Sequence, residues 1–238
     1  MILVGFLFCQ GNPTSLQFGV GGSMIAAGVC GWVVFAYIVL AEDTQEKLKV
    51  LGEFGVVKVF AARSVVIKDE YVRRLNAARD QIDIMGFGLS SFREDFLDEL
   101  KQWKERATVR ILLIDPEFPH PSYTYAAQRD NEEKNTLGEI ESDVRKFAAD
   151  VGPLIGNSGR RQFQIRLYRC LPSVNIFRID DELFWGPYLV GSQSRNCPTF
   201  IVKRHGILFD RLSRQFQDIW ESDQLSRPIP PDWLLKKP

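Results

Sequence analysis

Polar side chains that could hold a phosphate group are concentrated late in the sequence, between residues 175 and 196. The candidates are Asn175, Arg178, Asp180, Ser192, Arg195 and Asn196. The guanidinium groups of Arg178 and Arg195 are forked donors that match the oxygen atoms of a phosphate. This pattern predicts a ligand-binding site. The alternative is that residues 192–196 form a plain surface turn.

Asp115 and Arg129 are two further candidates for the same site. Asp115 follows a predicted strand, and open α/β sheets bind ligands beyond the carboxyl ends of their strands. It has a plainer interpretation as well, because an aspartate before a proline often ends a strand and starts a turn. Arg129 lies among acidic residues, where local ion pairs along a solvated helix face are the alternative.

The composition limits the class of protein. Lys and Arg together number 30, Asp and Glu also number 30, and the formal net charge is zero. A protein that binds nucleic acid through bulk electrostatics would be clearly basic, so nucleic acid is not an expected partner. The four cysteines form no Cys-x-x-Cys pair and do not cluster with either histidine. We therefore expect no disulfide framework, no zinc site and no cofactor.

The N-terminal part of the chain is apolar and uncharged. Residues 1–41 contain no Asp, Glu, Lys or Arg, and residues 18–41 form a 24-residue apolar stretch. At about 1.5 Å per residue, a helix of this length crosses a hydrocarbon core about 30 Å thick. The prediction is a membrane anchor, with residues 1–9 as a short hairpin arm. A cleaved signal peptide and a buried core helix are the alternatives.

Charge and small residues predict how this anchor is oriented and assembled. The basic residues all follow it, beginning at Lys47. The positive-inside rule therefore places the C-terminal domain on the cytoplasmic side of the inner (plasma) membrane. Ser23, Ala27 and Gly31 recur every four residues along one helix face, which lets two helices approach closely and predicts a homo-oligomer. The alternative is that small residues are simply common in membrane helices.

Residues 42–57 are predicted as a helical connector, residues 58–222 as one α/β domain and residues 223–238 as a loose polar tail. Apolar periodicity and turn residues predict the elements. The predicted helices are 65–81, 91–106, 129–151 and 207–220, and the predicted strands are 82–86, 109–114, 163–168, 174–179, 183–190 and 200–203. A capping box from Ser91 to Glu94 is expected to start the second helix. The order of elements predicts a mixed β-sheet covered by helices.

This domain resembles one half of a phospholipase D-like domain. The likeness rests on IDIMGF at 82–87, VRILLID at 109–115, IFRIDDELF at 176–184 and the Gly191-Ser192 pair. The resemblance implies a mixed sheet flanked by helices, with the phosphate site close to residues 192–196. Enzymes of this superfamily use a His-x-Lys motif, followed by an aspartate, in each of two halves. Single-repeat members supply the second half by dimerising.

The chain departs from that motif at its reactive positions. If Asp180 matches the family aspartate, Ser173 stands at the histidine position and Asn175 at the lysine position. A serine without an adjacent base is a weak nucleophile, and asparagine brings no positive charge to a phosphate. Neither His120 nor His205 begins a His-x-Lys motif. The resemblance therefore implies the fold and predicts a catalytically degenerate domain.

Together these patterns predict a membrane-anchored cytoplasmic protein that binds a nucleotide-like, phosphate-containing ligand or a protein partner. Binding would be relayed to an oligomeric membrane segment, an architecture seen among bacterial defence and signalling effectors. Trp185 and Tyr188 could stack on a nucleobase or simply belong to the core. The alternative function is an active phosphodiesterase, a phospholipase or nuclease, with a non-standard catalytic set. Carboxylates would then hold a divalent metal, the candidates being Asp115, Asp130, Glu132, Glu133 and Asp180.

Overall fold

A computed structural model describes residues 1–10, 14–62 and 65–235 of the chain. The chain divides into two compact units, residues 1–51 and residues 52–238. The helices are α1 (Ile2–Phe8), α2 (Ser15–Phe54), α3 (Val65–Ala77), α4 (Ser90–Phe96), α5 (Leu100–Arg106), α6 (Tyr125–Glu133), α7 (Glu139–Val151) and α8 (Ile207–Glu221).

The first unit contains α1 and most of α2. Helix α2 is long and apolar enough to cross a membrane by length and composition. Helix α1 packs closely on it at two glycines, because a Cβ atom on Gly5 would lie 2.6 Å from the carbonyl oxygen of Gly21. Only a residue without a side chain permits that approach. The predicted connector is helical as far as Phe54, and its last residues belong to the first strand.

The second unit is built on a mixed sheet. Its strands are β1 (Val56–Phe60), β2 (Gln81–Gly86), β3 (Thr108–Ile114), β4 (Pro119–His120), β5 (Tyr123–Thr124), β6 (Gly156–Ser158), β7 (Arg161–Tyr168), β8 (Val174–Ile179), β9 (Glu182–Pro187), β10 (Thr199–Lys203) and β11 (Ser226–Pro228). The main sheet has the order β1-β10-β9-β8-β2-β3-β7-β11, with β6 beside β7, while β4 and β5 pair separately. The neighbours β2, β3 and β7 are parallel, and the remaining pairs are antiparallel.

Helices cover both faces of this sheet. Tyr71 of α3 and Phe92 of α4 pack on Phe177 of β8, with ring centroids 4.7 and 5.4 Å apart. The next residue along the strand, Arg178, lies under Phe209 of α8. Successive residues of a strand point to opposite faces, so α3 and α4 lie on one face and α8 on the other. The predicted mixed sheet flanked by helices, with an apolar helix before it, is confirmed.

Two predicted helices are interrupted. The predicted helix 91–106 is split into α4 and α5, and α4 begins after Leu89, a residue with a φ of 54° and no side-chain capping bond. The Ser91–Glu94 capping box is therefore wrong. The predicted helix 129–151 is split into α6 and α7, because Lys134 and Gly138 adopt the left-handed conformation, with φ of 60° and 88°. Left-handed residues end a helix, and their positions are weakly marked in the sequence.

The segment predicted as a loose tail is packed on the domain. Strand β11 pairs antiparallel with β7 at the edge of the sheet. Ile229 and Trp233 are each only 7% exposed, and Trp233 lies under the guanidinium of Arg145 at 4.0 Å. The looseness predicted for this polar segment is wrong, since its few apolar side chains are buried against distant parts of the chain.

Candidate functional site

A cavity of about 660 Å³ opens beyond the carboxyl end of β2. Residues 87–92, which follow β2, form one wall, and Asn175–Phe177 of β8 and residues 193–195 form others. The parallel strands β2 and β3 end side by side, and the chain leaving β2 turns into α4 at Ser90. Ligand sites of open α/β sheets lie beyond these strand ends.

Aromatic side chains supply most of the apolar wall. Tyr71, Phe87, Phe92, Phe177 and Tyr188 all line the cavity. Phe87 and Tyr188 meet edge to face, with centroids 4.6 Å apart. Such an arrangement gives a rigid apolar surface of the kind that binds a flat ring.

Asn175, one of the polar residues predicted for the site, lies in the cavity lining and is only 6% exposed. Its place depends on Gly186 in the neighbouring strand β9. A Cβ atom on Gly186 would lie 2.4 Å from the carbonyl oxygen of Pro198 and 3.2 Å from Oδ1 of Asn175. Glycine therefore lets the loop after Asn196 approach the sheet beside the asparagine amide.

Carboxylates outnumber cations around the cavity. The lining carboxylates are Asp95, Glu133, Glu139 and Asp143, and the lining cations are Lys68 and Arg195. Lys68 already pairs with Asp95 at 2.5 Å. Burial raises the pKa of Asp143, while a hydrogen bond from Ser90 and the charges of Lys146 and Arg93 act against that shift. The cavity is thus polar, aromatic and net acidic.

Arg129 lies beside the cavity as a buried clamp. Its side chain is 3% exposed, and Nε donates to Glu133 at 2.8 Å. Its Nη atoms donate to the carbonyl oxygens of Leu189 and Ser192 at 3.0 and 2.9 Å. Its guanidinium also stacks on the Tyr188 ring at 5.3 Å. Because its donors are bonded to the protein, Arg129 holds the wall of the cavity in position and is not itself part of the lining.

Glu133 completes that attachment from the same helix. Its carboxylate accepts hydrogen bonds from the backbone N–H and the hydroxyl of Ser194 at 3.0 and 2.6 Å. The loop that carries the cavity residues Gln193 and Arg195 is therefore tied to α6. Ser192 takes part through its backbone, while Asn196 is exposed and outside the cavity lining.

Asp115 lies away from the cavity, in an ion cluster that holds the C-terminal strand. Its side chain is fully buried and contacts Arg227 at 2.6 Å and Arg169 at 3.1 Å. Arg227 belongs to β11 and also pairs with Glu117 at 2.8 Å. The role of Asp115 is thus to join β3 to β11, and its position at a strand end did not bring it into the site.

Arg178 lies on the sheet face opposite to the cavity. Asp83 of β2 stands between Arg178 of β8 and Arg110 of β3 in the strand register. The Asp83 carboxylate is 3.9 Å from Arg178 and forms two hydrogen bonds with Arg110, at 2.7 and 3.0 Å. The predicted fork of Arg178 and Arg195 therefore does not form. Asn175 and Arg178 are three residues apart in a strand, an odd spacing that already separates their faces.

Asp180 lies in the turn between β8 and β9, at the end of the sheet away from the cavity. Its carboxylate accepts hydrogen bonds from the backbone N–H groups of Arg79, Asp80 and Gln81 at 2.8 to 2.9 Å. Those three groups immediately precede or begin β2. Asp180 therefore fixes the start of a strand whose other end borders the cavity.

The structure thus brings two of the predicted residues, Asn175 and Arg195, into the cavity lining. Sequence reasoning missed Ser90 and Asp143. Ser90 follows a predicted strand, a signal that could have found it. Asp143 carries no sequence signal that separates it from the other acidic residues of its helix.

The carboxylates suggested for a metal-dependent enzyme lie apart. Asp180 caps β2, and Asp130 accepts hydrogen bonds from the backbone N–H groups of Gly138 and Ile140 at the start of α7. Within residues 1–10, 14–62 and 65–235, no group of three or more His, Cys, Asp and Glu side chains could hold a metal ion. The histidines, His120 in β4 and His205 after β10, lie outside the cavity lining.

Comparisons with known proteins were made for the chain as a whole. No protein-family model matches it, and no curated protein matches it. Similar solved structures include TrmBL2, an archaeal chromatin protein described as having a novel mode of DNA binding. It is 14% identical, with a TM-score of 0.44, over 91% of this chain and 72% of that chain.

Two further structures are similar over about three quarters of the chain. Phosphatidylserine synthase of Haemophilus influenzae Rd KW20 is 9% identical, with a TM-score of 0.47, over 76% of this chain and 40% of that chain. NucT of Helicobacter pylori is 10% identical, with a TM-score of 0.40, over 72% of this chain and 98% of that chain. At these low identities and TM-scores, none of the three assigns a family or an activity to this chain.

Proposed function

We propose that this chain is a membrane-anchored ligand-binding protein whose phospholipase D-like domain binds a nucleotide-like, phosphate-containing ligand without hydrolysing it. The observation that carries the proposal is the 660 Å³ cavity, a size typical of small-molecule sites. Its lining includes Asn175, at the lysine position of the family motif, and Arg195, but neither histidine.

The residues at the motif positions support a non-catalytic role. Ser173, at the histidine position, is exposed and outside the cavity lining, and its carbonyl oxygen accepts a hydrogen bond from the Tyr188 N–H at 3.1 Å. Asn175 is neutral, so it cannot stabilise the charge that develops on a phosphoryl group as a lysine would. Asp180 is engaged by three backbone donors. The remaining motif residue thus supports the fold.

The N-terminal helix supports a membrane location. Helix α2 continues without interruption from its apolar part into the charged connector, and Gly55 alone separates it from β1. We assign the bilayer and a second copy of the chain as its partners, with Ser23, Ala27 and Gly31 on the contact face. Basic residues after the apolar part favour a cytoplasmic domain. A ligand signal could pass along this helix, as in a signalling effector.

Calorimetry on the full chain in detergent micelles, with nucleoside monophosphates, diphosphates and cyclic nucleotides, tests this function. We expect binding by the unchanged protein, loss of binding in Asn175→Ala and Arg195→Ala, and retention in Asn196→Ala, whose side chain lies outside the cavity. Hydrolysis of a phosphodiester reporter would be followed in parallel with Mg²⁺ and Mn²⁺. Turnover above the protein-free rate, or no binding of any nucleotide, would contradict the proposal.

A further inference from the structure

Charged groups are unevenly distributed along the depth of the cavity. Arg195 is exposed, and its Nε donates to the side-chain oxygen of Gln193 at 2.8 Å. Lys68 is also exposed and is paired with Asp95. Asp143 and Glu133 are half-buried carboxylates of the same lining. Exposed side chains of both signs lie at the mouth, because Asp95 and Glu139 are exposed as well. With Lys68 paired to Asp95, Arg195 is the cation at the mouth that a phosphate can contact.

This distribution of charge determines the orientation in which a phosphate-bearing ligand can bind. Glu133 is already paired with Arg129, so a phosphate deep in the cavity would mainly face the half-buried carboxylate of Asp143. Like charges repel more strongly where burial lowers the dielectric. At the mouth, the same phosphate would meet the guanidinium of Arg195. The uncharged end of the ligand must therefore occupy the aromatic interior beside Phe87 and Tyr188.

Asp143 is placed to accept hydrogen bonds from that uncharged end. A Cβ atom on Gly88 would lie 2.7 Å from Cβ and 3.5 Å from Oδ2 of Asp143, so the carboxylate lies close against the backbone after β2. Ser90 supplies a hydrogen bond. A carboxylate has about four acceptor positions, so acceptor capacity remains beyond the one that Ser90 uses. Burial raises the pKa of Asp143, and the charges of Lys146 and Arg93 act against that shift. Hydrogen-bond donors of a ligand would offset the remaining cost of burial.

Among the common nucleobases, guanine offers the edge that fits a carboxylate. Its N1–H and 2-amino group are adjacent parallel donors, whereas adenine and cytosine pair one donor group with an acceptor on this edge. We propose that the cavity binds guanine nucleotides, with the base on Asp143 between the aromatic side chains and the phosphate at Arg195. This inference rests on the proposed function and names its ligand.

Calorimetry on the full chain with guanosine, inosine, adenosine, cytidine and xanthosine monophosphates tests the assignment. Inosine monophosphate lacks the 2-amino group and so loses one hydrogen bond to a charged acceptor, which should lower its affinity by about tenfold or more. Asp143→Asn replaces one acceptor by a donor and should shift preference from the guanine to the xanthine nucleotide. Xanthine has an acceptor where guanine has the amino group. Glu141→Gln is the matched control and should keep the guanine preference, because Glu141 is a carboxylate of the same helix that pairs with Arg145 and lies outside the cavity lining.

The outcomes separate this inference from the function on which it rests. A guanine preference that reverses in Asp143→Asn supports both, because a mere folding defect would not create affinity for xanthosine monophosphate. Nucleotide binding that depends on Arg195 but shows no guanine preference overturns the ligand assignment alone. Equal affinity for inosine and guanosine monophosphates in the unchanged protein does the same without any variant. Absence of nucleotide binding overturns both.

Discussion

The carboxylate of Asp180 accepts a hydrogen bond from the backbone N–H of Gln81 at 2.8 Å, across 99 residues of sequence. The N–H groups of Arg79 and Asp80 donate to the same carboxylate, each at 2.9 Å. Asp180 itself has a φ of 50° in the turn after β8. The contact joins the turn between β8 and β9 to the start of β2, and so sets the register of the two strands that border the cavity.

Replacing Asp180 tests this structural role. Asn tolerates positive φ, so Asp180→Asn removes the charge and one acceptor without adding backbone strain. We expect the free energy of unfolding to fall by about 1.5–3 kcal/mol, the value of hydrogen bonds to a charged group. Nucleotide affinity should not change. Denaturant unfolding and calorimetry measure the two quantities.

Asp181→Asn is the matched control for that variant, because the Asp181 side chain is 63% exposed and pairs with Arg204 at 2.9 Å. An exposed pair contributes about 1 kcal/mol or less. If Asp180→Asn were as stable as Asp181→Asn, the proposed link to β2 would be wrong.

Substitutions of Arg178 and Arg195 should affect different properties, stability for the first and ligand binding for the second. Arg178→Met leaves the buried Asp83 with one fewer cation, so we expect a loss of about 1–3 kcal/mol in stability and unchanged nucleotide affinity. Arg195→Met removes an exposed side chain at the cavity mouth. We expect it to weaken nucleotide binding and to leave stability unchanged. Thermal unfolding and calorimetry on both variants check this. Loss of nucleotide affinity in Arg178→Met at unchanged stability would contradict the placement of Arg178.

Arg129 should control the mobility of the loop at residues 189–194. Arg129→Lys keeps the charge but loses the forked geometry that reaches Leu189, Ser192 and Glu133 together. We expect faster amide hydrogen exchange in the loop and weaker nucleotide binding, because Gln193 and Arg195 lose their fixed position. Arg204→Lys, at an exposed pair, is the control. Exchange rates equal to those of the unchanged protein would show that the loop does not depend on the clamp.

The ion pairs of Glu70 should make the stability of the protein depend on pH in the acid range. Contacts with Lys58 at 2.5 Å and with Arg74 lower the pKa of Glu70 from 4.5 to about 2. A carboxylate whose pKa is lowered by folding stabilises the folded state at pH values above its pKa in the unfolded chain. This contribution is lost as pH falls from 4.5 towards 2. Glu70→Gln should be less stable at pH 7 and show a smaller decline over that window. Unfolding curves at several pH values measure the difference, and identical declines would disprove it.

Trp233 should be necessary for the stability of the second unit. Its side chain is 7% exposed and stacks under Arg145. Trp233→Ala should lower the free energy of unfolding by about 3–5 kcal/mol, as for other buried aromatic residues. Leu235, two residues later, is 70% exposed, and Leu235→Ala should have little effect. Equal stabilities of the two variants would mean that residues beyond 222 are loosely attached.

Local patterns in the sequence predicted most of the elements. The apolar stretch of α2, the strand Val174–Ile179 and the last helix follow from length and periodicity, which neighbouring residues determine. The break between α6 and α7 depends on the left-handed residues Lys134 and Gly138, and the sequence did not predict it. Composition and spacing also pointed to residues 175 to 196 as part of the site.

The membership of the site depended on tertiary structure. Asn175 reaches the cavity while Arg178 is covered by α8, because strand alternation separates them and packing decides which face a helix covers. Arg129 and Asp115 form hydrogen bonds with residues roughly 60 and 110 positions away in the sequence, and so are not available to a ligand. A charged side chain is buried only where such partners satisfy it, and those partners are brought together by the sheet topology. The sequence therefore determined the elements and the residue types, and the fold decided which of them face the cavity.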